Sequence, residues 1–288
     1  MSNLIKKQHY VPQHYLKEWG NKGLILTLLK KQNKISNLNI KDVCEKKYFY
    51  RLNNLSNEEI YNLNNFINTL FNDFGDLKFS IVYLIKLFIL STKDNELSIN
   101  LLEKILSKIE YNGSKLVYCK SINDFKKNYD IDVLQYIIFQ YCRTDKFNQN
   151  VKNDLFIDKE KQKMYLNTFP YIIFLISNKL TYNIFYYKHT TFTFLINDTN
   201  IPFITSDNPI ININNSFYYP LSPKYALLMY INENICDNKN DFLEEYVNLD
   251  FVNEYNKYIF DNSYKFVFSI DENILKNILN NNLIKNNL

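Results

Sequence analysis

The sequence predicts an α+β fold with a mainly helical body, an antiparallel β-meander in the C-terminal half and a small N-terminal hairpin. Apolar residues recur at helical spacing within residues 56–185. Short β-branched and aromatic runs, punctuated by Asp, Asn and Pro, fill residues 186–270, and C-terminal helices accompany them. The length suits one large domain, so residues 1–288 are interpreted as a single domain with the hairpin in residues 1–50.

The N-terminal segment begins with a short helix and continues into the hairpin. Pro12 suits the first turn of a helix, which Gly20 can end. Residues 24–29 and 35–40 are the two predicted strands, and the lysine-rich residues 30–34 form the turn between them.

The helical part starts at a capping box, because Ser56 is followed three residues later by Glu59. Further helical patterns occupy residues 77–90, 97–109 and 130–144. Residues 145–163 are rich in charge and predict a loop or a weak helix.

The C-terminal half alternates strands with turns. The predicted strands are residues 190–196, 202–205, 210–213, 217–219 and 226–231. The remaining elements are a helix at residues 247–260, a strand at residues 265–269 and a last helix at residues 272–283.

The charge distribution is uneven although the net charge is only +4. Residues 1–50 hold ten lysines against three acids, whereas residues 233–261 are acidic. One interpretation is that the basic and the acidic region are two solvent-exposed faces. The other is that the basic region forms the edge of a site that approaches a polyanion.

The apolar stretches and the cysteines indicate the cellular compartment in which the protein is expected. Residues 79–90 and 171–187 are short and each contains a lysine, so we expect buried helices and no membrane span. The four cysteines form no Cys-x-x-Cys pair and the N-terminus has no signal-peptide core, so a cytoplasmic protein with free thiols is expected. The many Tyr and Phe residues permit an oligomer.

Two of the three histidines lie in His-Tyr-Val-Pro-Gln-His at residues 9–14. His9 lies just before the predicted helix and can transfer protons near neutral pH, while Gln13 can contact a substrate. The alternative is that this cluster only attaches the N-terminus to the body. For His14, packing or surface exposure is expected.

Arg143 is one of only two arginines among thirty-four basic residues. Its planar guanidinium binds oxyanions in a way that lysine cannot, and Gln140 lies one helical turn away. Together they can grip a phosphate or carboxylate. Equally, Arg143 can form a structural pair with an acid such as Asp207, or cap a helix C-terminus.

The third cluster is Phe-Ile-Thr-Ser-Asp-Asn-Pro at residues 203–209. A buried strand leads directly into a polar turn, so Ser206, Asp207 and Asn208 are candidate functional side chains. The alternative is an Asx-turn, in which Asp207 bonds its own downstream backbone.

In their order along the chain these segments resemble a mainly bacterial family, domain of unknown function 4238. Its members open with His-Tyr-Val-Pro-Gln and Tyr-Leu, and continue with Gln-x-x-Arg-Thr, Phe-Ile-Thr-Ser-Asp-Asn-Pro and Pro-Leu-Ser-Pro, here at residues 220–223. Asp145 and Trp19 stand where the family often has Pro and Phe. The resemblance implies that the three clusters share one domain and meet in a pocket.

The leading functional hypothesis is a hydrolase that acts on a phosphate-containing substrate, specifically a nuclease of a toxin or anti-phage defence type. His9 would be general acid or base, and Arg143 would stabilise phosphoryl charge. Gln140, Asn208, Ser206 and Gln13 would bind substrate. Asp207 would orient His9 or hold a divalent metal ion.

Two other classes remain open at this stage. The same residues suit a non-catalytic module that binds a nucleotide or another anion, with nucleic acid or nucleotide as the partner. They also suit a structural or interaction protein whose polar motifs hold its layers together.

Overall fold

The computed structural model describes residues 6–72, 75–155 and 159–286. Its α-helices, labelled α1 to α10 in chain order, are Gln13–Leu16, Asn57–Leu70, Gly75–Ser91, Asn95–Gly113, Ile122–Asn128, Ile131–Cys142, Asp145–Leu155, Lys159–Tyr187, Leu249–Asn262 and Glu272–Asn286. Its strands, labelled β1 to β12, are Lys7–His9, Gly20–Asn21, Leu24–Leu29, Lys34–Asn39, Glu45–Lys47, His189–Asn197, Thr205–Ser206, Ile211–Ile213, Ser216–Pro220, Tyr225–Asn232, Asn240–Val247 and Phe266–Ser269. The predicted α+β fold is confirmed.

The helical body follows the sequence pattern closely. The Ser56 hydroxyl accepts from the Glu59 N–H at 3.2 Å, and the Glu59 carboxylate accepts from the Ser56 N–H at 2.8 Å, which is the predicted capping box. Helix α6 packs against α4 and α8, and eight of its twelve residues are buried. The region predicted as a loop or weak helix contains α7, while residues 156–158 lie outside the described part.

One five-stranded sheet has the order β11-β6-β10-β9-β8. Strands β8, β9 and β10 form the expected antiparallel meander, and β10 also pairs antiparallel with β6. The prediction missed β11, which pairs parallel with β6. This edge strand is rich in acids and largely exposed, so it lacks the apolar alternation of a half-buried strand.

The predicted strand at residues 202–205 was wrong in extent and in sheet. Only Thr205–Ser206 is a strand, and it pairs with β12 in a second sheet of order β2-β3-β12-β7. The residues before this strand form no sheet hydrogen bonds with their N–H groups. The N–H of Phe203 donates to the Pro223 carbonyl, and that of Ile204 donates to the Asn256 side chain.

The second sheet joins the two ends of the chain. The hairpin strands β3 and β4 are those predicted, and β12 pairs antiparallel with β3. The interpretation of the whole chain as one domain stays a prediction. No helix in the described ranges is long and apolar enough to cross a bilayer.

Candidate active site

The first polar motif is held between the hairpin region and the helical body. Strand β1 pairs antiparallel with β5, which sets His9 opposite Glu45. The Gln8 side chain is fully buried and anchors this strand, because its amide accepts from the Tyr50 N–H at 2.7 Å and donates to the Ile99 carbonyl at 3.2 Å. Gln8 thereby ties β1 to the first turns of α4.

Next to this motif lies a cavity of about 300 Å³. The lining residues come from β1, the start of α1 and one face of α4, and they are Lys7, His9, Pro12, Gln13, His14, Glu103 and Glu110. Glu103 and Glu110 are seven residues apart, so two turns of α4 bring both carboxylates to the same side. The amide nitrogen of Gln13 lies 3.4 Å from Nδ1 of His9.

Burial controls the protonation of these groups. Burial, and secondly the Glu110 charge, raises the pKa of Glu103 to about 7, while Arg143 acts in the opposite direction. Burial also lowers the pKa of His9 and of His14. At neutral pH both imidazoles are therefore neutral, and Glu103 is close to its midpoint.

Three side chains at the cavity carry a buried polar atom that has no hydrogen-bond partner among the described residues. These atoms are Nε2 of His9, Nε2 of His14 and Oε2 of Glu103. Buried polar atoms are nearly always paired, so such a group at a cavity is a candidate site for a ligand or reactant.

Arg143 lies behind the cavity and does not line it. Its side chain is fully buried, donates from Nη1 to the Glu110 carboxylate, and donates from Nε to Oε1 of Gln140 at 2.9 Å. Gln140 in turn donates to the Tyr10 carbonyl at 3.0 Å. Of the three alternatives for Arg143, the contact seen here is the structural pair, and its acid is Glu110 instead of Asp207. Arg143 is also the C-cap residue of α6, through its backbone N–H.

Asp207 is buried directly after strand β7 of the second sheet and does not line this cavity. Its carboxylate accepts from the N–H groups of Tyr264 at 2.9 Å and Lys265 at 2.7 Å. These donors are distant in sequence, so the contact is not the Asx-turn that was the alternative. Burial raises the pKa of Asp207 to about 6, although the backbone donors oppose this shift.

The neighbours of Asp207 are also paired internally. Asn208 accepts from the Thr144 hydroxyl at 2.7 Å and donates to the Asn262 carbonyl at 3.2 Å, which links the end of α6 to the end of α9. The Ser206 hydroxyl donates to the Asn208 carbonyl at 2.9 Å. The structure therefore brings His9 and Gln13 to one cavity, with Arg143 and Gln140 behind it. Ser206, Asp207 and Asn208 do not line this cavity, although Asn208 contacts Thr144 of the second cluster.

The described residues do not fit a divalent metal ion at Asp207, because both of its oxygens already accept backbone N–H groups. No group of three or more His, Cys, Asp or Glu side chains in the described ranges could hold a metal ion.

One lysine of the lysine-rich turn at residues 30–34 already has partners within the protein. The Lys30 ammonium donates to the carbonyls of Phe260 at 2.7 Å and Ser263 at 3.1 Å.

Sequence reasoning missed Glu103 and Glu110, and it assigned His14 to packing or the surface. The available signal was weak: Glu96, Glu103 and Glu110 repeat every seven residues in the helical pattern, and their spacing does not distinguish the two that border the cavity. His189, the third histidine, lies outside the cavity between Asp237 at 3.0 Å and Asp241 at 2.8 Å.

Fold and site together define an α+β protein with a histidine–carboxylate cavity that is open to solvent, between its N-terminal motif and its helical body. The chain belongs to the family described as "Protein of unknown function (DUF4238)", whose family model matches residues 7–273. Neither the curated proteins nor the solved structures contain a match to the chain.

Proposed function

We propose that the protein is a hydrolase whose active site is the cavity between His9, His14 and Glu103. The observation that carries the proposal is the set of three buried polar atoms without partners around this cavity. A stable fold gains nothing from leaving such atoms unmatched, and each costs about 1–3 kcal/mol. Substrate or a reacting water molecule would satisfy them.

Glu103 is the proposed general base. A base works best when its pKa lies near the working pH, and the pKa of Glu103 is raised to about 7. Its ionised carboxylate would take a proton from water as the water oxygen bonds to the electrophilic atom of the substrate. The bond from that atom to the leaving oxygen would break, and the proton would pass from the carboxyl oxygen to the leaving oxygen, which restores the carboxylate.

His9 is the proposed hydrogen-bond donor. When the Gln13 amide donates to Nδ1, the neutral imidazole carries its proton on Nε2, which is the unmatched atom. A neutral N–H directed at the reacting centre stabilises the negative charge that develops there. Gln13 orients the ring.

Arg143 and Gln140 are proposed as positioning residues. Arg143 holds the Glu110 carboxylate in place, and the charge of Glu110 helps to raise the pKa of Glu103. Ser206, Asp207 and Asn208 hold α6, α9 and β12 together and take no direct part in the proposed reaction.

For the substrate we propose a phosphodiester. With a nucleic acid as that substrate, the protein would be a nuclease. The most specific role that we propose for such a nuclease is phage defence. The two carboxylates at the cavity disfavour a dianionic monoester and tolerate a singly charged diester better. Lys7 lines the cavity, and the surplus of lysines in residues 1–50 would attract a nucleic-acid backbone.

The test compares the protein of residues 1–288 with its Glu103→Gln, His9→Ala and Glu96→Gln variants. Substrates are bis(p-nitrophenyl) phosphate, p-nitrophenyl acetate, and labelled single- and double-stranded RNA and DNA. We expect phosphodiester cleavage that falls at least about 100-fold in Glu103→Gln and His9→Ala. Glu96→Gln is the matched control, because Glu96 is an exposed acid at the start of the same helix.

A Glu103→Gln variant that is folded and as active as the parent would overturn the catalytic proposal. Cleavage of the acetate ester alone would support the hydrolase proposal and reject the nuclease proposal.

The second candidate function is a non-catalytic binding module, which the same unmatched atoms favour. It predicts no turnover, together with a higher melting temperature in the presence of a nucleotide, lost in Glu103→Gln.

A further inference from the structure

Helix α3 carries apolar side chains on two opposite sides. Ile81, Ile85 and Phe88 face the core and are almost completely buried. On the outer side, Phe79 is 75% exposed, Tyr83 63% and Leu90 55%. A helix on the surface of a protein normally presents polar residues to water, so an outer row of large apolar side chains needs a partner.

The outer row has the spacing of a coiled-coil seam. Phe79, Tyr83, Lys86 and Leu90 follow one another at intervals of four, three and four residues, and Lys86 is exposed like the others. This is the alternation of d and a positions in a heptad, and it forms one continuous stripe on the helix. We propose that this seam is the interface through which a second copy of the chain binds, with the two α3 helices antiparallel.

The antiparallel direction follows from the order of the side chains. In an antiparallel pair each a position meets a d position of the other helix. Phe79 then meets Leu90 of the second copy, and Tyr83 meets Lys86 of the second copy. The lysine stem packs on the ring and its ammonium forms a cation–π contact. A parallel pair would instead set Lys86 against Lys86 and lose this contact.

The seam is therefore complementary to itself, as a twofold interface requires. Each exposed aromatic side chain can bury on the order of 150–250 Å². With Leu90 and the half-exposed Leu87 beside them, the two copies would bury on the order of 1,000 Å² in total, near the lower limit for a specific interface. A reversible dimer that dissociates on dilution is expected. This inference is independent of the proposed chemistry.

The test is sedimentation equilibrium of the protein of residues 1–288 over about 1–100 µM, a range suited to a weak interface of this size. The weight-average mass should rise with concentration from 34.7 kDa toward twice that value. Tyr83→Lys should stay monomeric, because it sets two lysines against each other. Tyr83→Lys combined with Lys86→Glu should dimerise again, since the introduced lysine of one copy would then face the introduced glutamate of the other.

Tyr111→Lys is the matched control, because Tyr111 is 79% exposed on α4 outside the seam, and it should dimerise as the parent does. Circular dichroism checks that every variant is folded. The proposal is rejected if the parent is monomeric throughout, or if Tyr83→Lys associates as the parent does. Failure of the double variant to dimerise rejects the antiparallel register.

Discussion

The fully buried guanidinium of Arg143 donates to the carboxylate of Glu110, and that carboxylate borders the cavity. The pair therefore connects the interior of the helical body with the candidate site. Its buried cation is further held by Gln140, which is bonded to the backbone of the N-terminal motif. Substitutions along this chain of contacts should separate stability from chemistry.

Arg143→Lys should destabilise the fold by about 3 kcal/mol, because a lysine cannot reach both Glu110 and Gln140 and leaves buried polar atoms unmatched. Urea unfolding measures the change. Arg51→Lys is the control, since Arg51 is exposed and makes one long hydrogen bond to Asn95 at 3.3 Å. Equal stability of the two variants would contradict the structural role of Arg143.

Glu103→Gln should make the protein more stable at alkaline pH. The folded-state pKa of Glu103 is raised to about 7, so the folded protein holds this proton more tightly than the unfolded chain does. That contribution is complete below the ordinary carboxyl pKa and is lost as the pH rises to about 7. Glutamine does not titrate, so the gain should be on the order of 1–3 kcal/mol at pH 8 and vanish near pH 4.

Unfolding free energies of the parent, Glu103→Gln and Glu96→Gln across this pH range provide the measurement. Glu96 is exposed, so its variant is the control for removing an acid from the same helix without disturbing the cavity. A constant difference between Glu103→Gln and the parent would show that Glu103 titrates normally.

Glu110→Gln should move the pH dependence of the proposed reaction to lower pH. If Glu103 acts as the base, the rate rises with pH through its pKa of about 7. Glu110 contributes to that raised pKa, so its removal should lower the midpoint, while burial keeps it above the ordinary value. The pH profile of kcat/KM tests this, and an unchanged midpoint would assign the titration to another group.

Asp207→Ala should destabilise the fold by about 2–4 kcal/mol, because the N–H groups of Tyr264 and Lys265 lose their acceptor. The remaining folded protein should keep its activity, since Asp207 lies away from the cavity. Activity normalised to the folded fraction decides between the two roles. Asp198→Asn is the control, because Asp198 is an exposed acid paired with Lys224. A folded but inactive Asp207→Ala protein would restore Asp207 to the reaction.

Elements with local causes were predicted well from the sequence. The capping box at Ser56 and the hairpin of β3 and β4 depend on residues close in the chain, so their patterns are visible without tertiary information. The strand β11 escaped prediction because its position is set by pairing with β6 at a sheet edge, where acidic side chains are tolerated.

The amino-acid pattern alone predicts the class of fold and singles out the histidine motif and the scarce arginine. The three-dimensional arrangement was needed to pair Arg143 with Glu110 rather than Asp207, and to bring Glu103 to the cavity. The reason is physical: a carboxylate's partner and pKa depend on burial and on charges brought close by distant segments. The spacing of residues along the chain gives no information on this burial or on these charges.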